Sequence, residues 1–261
     1  MIMAHRPLFS IATPCYNSEK TIERTIKSVL QQEFKDYEYI IVDGGSTDGT
    51  VEYLKELEKD FSYGWPEREV KWISEKDNGI YDALNKGIRM ATGDIIGPMF
   101  DKFSHPHVLS DMISVIEKEG TDGVHGDLYY VDEQDNPVRE WKMGNTKTIR
   151  DGWMPAHPTL YLKKEVYDKF GVYKTDYRIA ADYEYMIRIL KDNQVRLSYI
   201  PEVLVHMFYG GTSSGGLKNY ILSFQEGKRA LEENQMKGAF FITVKRTLIV
   251  LMQFVKAKLG Q

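Results

Sequence analysis

What this chain does without narrows its function. It has one cysteine, Cys15, in 261 residues. That excludes an intrachain disulfide and a cysteine-built zinc site, and it fits a reducing compartment. It has no excess of positive charge: 34 Lys and Arg stand against 38 Asp and Glu, for a formal net charge of -4 and a pI near 5.9. A protein that tracks nucleic-acid phosphates needs a basic face, so no nucleic-acid partner is expected. No Gly-x-Gly-x-x-Gly follows the first strand, which counts against a nicotinamide dehydrogenase, and no Gly-x-x-x-x-Gly-Lys loop cradles a phosphate. Residues 1–7 lack the apolar core of a signal peptide, so a cytoplasmic location is expected. The most apolar stretch, Gly238–Val255, is broken by Lys245 and Arg246. Neither half reaches the roughly 18 residues that spanning a bilayer requires.

What is present is enough to bury a large core, since 42% of the chain is hydrophobic. Its apolar spacing predicts strand and helix in alternation through the first half. Strands are expected at Leu8–Ala12, Tyr37–Val42, Val70–Ser74 and Asp94–Met99. Between them, helices carry Ile22, Ile26, Val29 and Leu30, then Val51, Leu54 and Leu57, then Ile80, Ala83, Leu84 and Ile88 on single faces. Such alternation implies a parallel sheet with helices on both faces and a ligand crevice at the strands' carboxyl ends. The second half reads as mixed, with strands at Gly123–Val131, Val138–Lys142, Thr159–Lys163, Val195–Ile200 and Val203–His206. Helices are expected over Ala181–Leu190 and Leu217–Glu233. These readings give one domain over 1–236, in two merged halves of about 7–120 and 121–236, followed by an amphipathic helical tail over 237–261. The tail is expected to pack on the body, on a second copy in a homo-oligomer, or peripherally on the inner face of a membrane.

Four acids fall at element ends in the first half: Asp43, Asp77, Asp82 and Asp101. Asp43 closes an apolar strand and is followed by Gly44 and Gly45, where bare backbone can approach a ligand. An acid there can accept from a nucleobase N–H or from ribose hydroxyls. Acids elsewhere in the crevice can hold a divalent cation through oxygen.

Several stretches resemble glycosyltransferase family 2. They are Ser10-Ile-Ala-Thr-Pro-Cys-Tyr-Asn17, Ile41-Val-Asp-Gly-Gly-Ser-Thr-Asp-Gly-Thr50, Gly79-Ile-Tyr-Asp-Ala-Leu-Asn-Lys-Gly87 and Ala91-Thr-Gly-Asp-Ile-Ile-Gly97. Ala156-His-Pro-Thr-Leu160, Ile179-Ala-Ala-Asp-Tyr-Glu184 and Gly210-Gly-Thr-Ser213 follow in order. Together they span roughly residues 8 to 230. The resemblance implies an α/β GT-A fold, a Rossmann-like nucleotide half merged with a smaller mixed acceptor half. It also implies inverting transfer of a sugar from a nucleotide-sugar donor, most often a UDP-sugar, usually with Mg²⁺ or Mn²⁺. The acceptor would be a hydroxyl of a glycan or lipid-linked molecule in cell-surface polysaccharide synthesis. By the same resemblance, Thr13, Asp43, Asp77 and Tyr81 line the donor nucleotide, and Thr212 and Ser213 close over its diphosphate. Asp182 is the general base, and His157 lies near phosphate or acceptor. One departure stands out. Where the family writes an Asp-x-Asp pair, this chain has Pro98-Met-Phe-Asp-Lys-Phe-Ser-His-Pro106. Asp101 is left as the metal-facing acid, Lys102 as a source of positive charge and His105 as a substitute ligand. The alternative reading is a degenerate member that binds nucleotide, or a partner, without moving sugar.

Overall fold

A computed structural model of the chain describes residues 6–64, 69–142, 144–209 and 216–259. The first half folds as its spacing predicts. β1 (Phe9–Cys15), β2 (Tyr37–Asp43), β3 (Glu69–Ser74) and β4 (Ile95–Pro98) are joined through α1 (Ile22–Leu30), α2 (Thr50–Gly64) and α3 (Ile80–Met90). These strands pair in parallel in the order β3-β2-β1-β4. All seven residues of β2 are buried, the mark of a strand covered on both faces. Tyr37, Tyr39 and Ile41 face a core built with α1, α2 and α4 (Val108–Glu119). Ile40 and Val42 face the opposite core, built with α3 and α6 (Ala181–Leu190).

The second half extends the same sheet. β6 (Gly123–Val131), β7 (Pro137–Trp141), β8 (Tyr161–Lys163) and β9 (Leu197–Phe208) continue it, with a two-residue β5 (Lys102–Phe103) at the far edge. The full order is β3-β2-β1-β4-β8-β6-β9-β5, with β7 paired to β6. β8 runs antiparallel to both β4 and β6, so it is the seam between the parallel half and the mixed half. Glycine makes that seam possible. A Cβ on Gly97 of β4 would stand 2.3 Å from the ring of Tyr161, so only a bare backbone lets that buried ring lie across it. The remaining elements are α5 (Lys164–Phe170), α7 (Gly216–Glu233) and α8 (Ala239–Leu259).

Three local expectations change. The strand expected from Thr159 begins only at Tyr161, because the Thr159 hydroxyl donates to backbone carbonyls and draws His157–Thr159 into a tight turn. The two strands expected at 195–206 are one, β9. Its pairing with β6 slips at Gly126–Leu128, opposite Pro201, which has no N–H to give the ladder. β5 and α5 were not expected, being too short for periodicity to register.

His125 of β6 lies in the core, its ring 5.7 Å from Trp153 and 5.1 Å from Tyr199. Burial lowers its pKa to about 4. The unfolded chain therefore takes up this proton near the usual 6.5 and the folded chain does not. Stability from His125 is complete above pH 6.5 and falls away as pH drops from 6.5 towards 4, by at most about 3 kcal/mol. Urea titrations across this range should show a shallower acid loss in His125→Leu than in the parent. Parallel curves would contradict the assignment.

Candidate active site

The carboxyl ends of β1, β2 and β3 bring Cys15, Asp43 and Ser74 into register. The Asp43 carboxylate is fully buried there. It accepts from the amides of Gly45 (3.1 Å) and Ser46 (3.0 Å), from the Ser46 hydroxyl, and from the Ser74 hydroxyl at 2.7 Å. The Cys15 thiol, pushed up by burial and by Asp43 itself, stays protonated and lies 3.8 Å from Oδ1. In this arrangement Asp43 anchors its own turn and ties β3 and β1 to it. The crevice floor is presented by the residues it positions.

Gly44 is the first of these. A Cβ there would fall 2.3 Å from Asp77 Oδ2, so the carboxylate of Asp77 lies directly over the bare backbone of Gly44. The other oxygen of Asp77 accepts from the Gly79 amide at 2.9 Å, which orients it. Neighbouring loops are laced together. Asn17 accepts from the Thr47 amide at 2.9 Å, and Asp48 accepts from the amides of Thr50 and Glu19 at 3.0 and 3.1 Å. Thr13 is buried inside β1 with its hydroxyl 2.9 Å from that of Tyr39, so it supports the crevice from below. Asp82, in the first turn of α3, reaches back to accept from the Asn78 amide at 3.1 Å.

Across from this floor, α3 and α6 meet. The Tyr81 hydroxyl, whose pKa is raised by burial and then by Asp182, keeps its proton and donates to Asp182 Oδ1 at 3.1 Å. Among the described residues, Asp182 Oδ2 accepts no hydrogen bond, and the side chain is half-buried. It is therefore a held carboxylate with an oxygen to spare, in a position to take a proton. Behind it His157 is buried, with Nε2 2.8 Å from the Tyr173 hydroxyl and its ring against Phe100. Burial lowers the His157 pKa although the charge of Asp182 opposes the change, so the ring stays neutral. Asn85 fixes Tyr173 by exchanging two backbone hydrogen bonds with it.

Sequence reasoning missed the residue that sets the approach to Asp182. Glu226, buried on α7, accepts from the amides of Arg178, Ile179 and Ala180 at 2.8–2.9 Å. These amides come just before the first turn of α6, which lacks a side-chain cap of its own. Nothing in the local sequence marks a glutamate that acts 46 to 48 residues away.

Asp101 is not an open ligand. It is buried, with Arg24 of α1 donating through Nε to Oδ1 (2.7 Å) and through Nη2 to Oδ2 (2.5 Å), and with the Phe208 amide on Oδ2 at 2.5 Å. Burial raises its pKa and Arg24 opposes that rise. Lys102 is paired with Asp135 at 2.5 Å. The expected metal-facing acid is thus closed by an ion pair, and the residues present do not fit a divalent cation at Asp101. His105 does belong to a grouping of ligand types, with Asp111 and Glu202, whose donor atoms lie within 4.8 Å of one another. Its Nδ1 already accepts the His107 amide at 3.3 Å, so that nitrogen is engaged within its own turn. Thr212 and Ser213 fall within 210–215, outside the described residues.

Removing Glu226 should be felt locally and globally. Glu226→Ala leaves three backbone amides without their acceptor, so stability should fall by roughly 2–4 kcal/mol. Hydrogen exchange at residues 178–180 should accelerate with it. Unchanged exchange at these amides would show that the carboxylate is not their partner in solution.

The family model for glycosyl transferase family 2 matches residues 10–175. A PGL/p-HBAD biosynthesis glycosyltransferase of Mycobacterium tuberculosis is 26% identical over 228 residues, 85% of this chain and 84% of that protein. Two solved structures share the fold. Staphylococcus aureus TarS 1-349 in complex with UDP-GlcNAc gives a TM-score of 0.67 at 18% identity, covering 90% of this chain and 71% of that one. The match spans 39% of the longer TarS chain. The mannosyltransferase PcManGT of Pyrobaculum calidifontis, in complex with GDP-Man and Mn2+, gives 0.66 at 19% identity, covering 97% of this chain and 74% of that one. With the family model matched over more than half its length, this chain belongs to glycosyltransferase family 2 and is a glycosyltransferase built on a GT-A fold.

Proposed function

We propose that this enzyme moves a sugar from a nucleoside-diphosphate donor to an acceptor hydroxyl, with Asp182 as general base and inversion at the anomeric carbon. The nucleoside lies over the Asp43 turn, against Gly44 and Asp77. A UDP-sugar is the donor we favour, supported by the UDP-GlcNAc complex of TarS. The acceptor is a glycan or lipid-linked hydroxyl of the cell envelope, in keeping with the mycobacterial relative named for PGL/p-HBAD biosynthesis.

The observation that carries the reading is the Tyr81–Asp182 contact. A neutral phenol at 3.1 Å holds one carboxylate oxygen and leaves the other to the acceptor. In the transfer step the acceptor's O–H proton passes to Asp182 and its oxygen forms the bond to C1. The C1–O bond to the diphosphate breaks, and that electron pair leaves with the nucleoside diphosphate. A single base and a single displacement give inversion. Tyr81 keeps Asp182 aimed, and Glu226 fixes the turn that delivers it. The buried, neutral His157 and Phe100 exclude water behind it.

The Mn2+ of the PcManGT complex supports a donor that arrives with a divalent cation. In this chain Asp101 stands outside its coordination. Asp101→Asn should cost about 1–3 kcal/mol of stability through the weakened Arg24 pair, while the Mn2+ concentration giving half-maximal activity stays within about threefold of the parent. A requirement for Mn2+ raised tenfold or more would make Asp101 a ligand after all.

Asp182→Asn removes the base and keeps the shape. Loss of general-base help typically costs about 10²–10⁴ in rate. Turnover should fall by that much in a screen of UDP- and GDP-sugars, with the melting temperature and nucleotide affinity close to those of the parent. Undiminished transfer by this variant would end the assignment.

A further inference from the structure

We infer that α8 docks this enzyme on an anionic lipid bilayer through the face it turns away from the body. α8 is apolar on two opposite sides. Its inner side buries Ala239, Ile242, Thr243 and Gln253. Gln253 accepts from Arg139 of β7 at 2.6 and 2.8 Å, and Arg246 lies over the ring of Tyr183 at 4.2 Å. Its outer side leaves Phe241, Leu248 and Met252 more than half exposed, with Phe240 and Leu251 at the flanks. Residues 241, 245, 248 and 252 recur at helical spacing, so this is one continuous stripe. Phe224 of α7 meets Phe240 at 6.1 Å, and Tyr220 and Ile221, one turn earlier on α7, are exposed as well. Seven of the ten large apolar side chains exposed among the described residues lie on these two helices, which makes a patch and not a scatter.

Charge decides what covers the patch. α8 carries Lys245, Arg246, Lys256 and Lys258 and no carboxylate, in a chain whose formal net charge is -4. Lys245 sits exposed within the apolar stripe, and Lys237 is exposed just before the helix. A symmetric pairing of two copies through this stripe would set Lys245 against a helix that offers no acid. Anionic headgroups answer the same lysines, at about 1 kcal/mol for each cation near the surface. No helix among the described residues is long and apolar enough to cross a membrane, so the contact is interfacial. The helix is also fixed to the active site, because Tyr183, under Arg246, directly follows Asp182. Resting on the transfer reading above, this identifies the acceptor class as lipid-linked, presented to Asp182 from the bilayer on which α8 lies.

Flotation of the full chain, without donor or acceptor, tests the docking apart from the chemistry. The probes are vesicles of phosphatidylcholine alone and vesicles in which about one third is phosphatidylglycerol. The protein should float with the anionic vesicles and far less with the neutral ones. The double variant Phe241→Glu/Leu248→Glu should lose about ten- to a hundredfold in partition. Its melting temperature and nucleotide-sugar hydrolysis should match the parent's, since neither residue touches the active site. Absent binding, or binding that the double variant retains, overturns the proposal. So does a concentration-dependent dimer in sedimentation that the same substitutions dissolve without any vesicle binding, because a second copy then covers the face.

Discussion

The structure depends on a charge held away from water. Asp43 sits at the carboxyl end of β2, a strand buried along its whole length, and an isolated carboxylate there would be costly. Its burial is offset by two backbone amides, two hydroxyls and a thiol. Each donor comes from a segment that must be in place for the crevice to exist: the 44–46 turn, the end of β3 and the end of β1. The same bonds that satisfy the charge therefore set three strand ends at one level. Gly44 and Asp77 can then lie in van der Waals contact, which a side chain at position 44 would prevent.

Two further carboxylates are held closely at the start of α6. Glu226 accepts from three amides ahead of α6, and Tyr81 donates a hydrogen bond to Asp182 at the first turn of that helix. One clamp comes from α7, late in the chain, and the other from α3, early in it. Asp182 is thus positioned by elements from both halves. Glu184, two residues on and fully buried, is paired with Lys174 and Arg188 and anchors the helix body. The two acids of Ala-Asp-Tyr-Glu have separate tasks.

Much of this was legible in the sequence. The 3.6 spacing of Ile22, Ile26 and Val29 and the apolar run into Asp43 mark elements whose environment is uniform along their length. The ordered motifs identified the fold, and within it Asp77 lies over Gly44 beside Asp43 while Tyr81 meets Asp182. What could not be read were partners distant in the chain. Asp101 looked like a free acid because Arg24, 77 residues earlier, carries no signal that it will claim it. Glu226 looked like one more charge on a helix surface. Asp43 read as an acid facing a ligand; that its carboxylate also holds the turn depends on burial and not on residue type. β9 read as two strands because a proline and an exposed glutamate interrupt a ladder that resumes beyond them.

In the proposed transfer, a nucleotide-sugar donor lies between the Asp43 turn and Asp182 with its reactive carbon turned towards Asp182. A crystal structure with a bound nucleoside diphosphate tests this most directly. The nucleoside should lie over Gly44 beside Asp77, with the terminal phosphate directed towards Tyr81 and Asp182 and with Asp101 still paired with Arg24. A nucleotide bound elsewhere on the protein, or one whose terminal phosphate points away from Asp182, would contradict it.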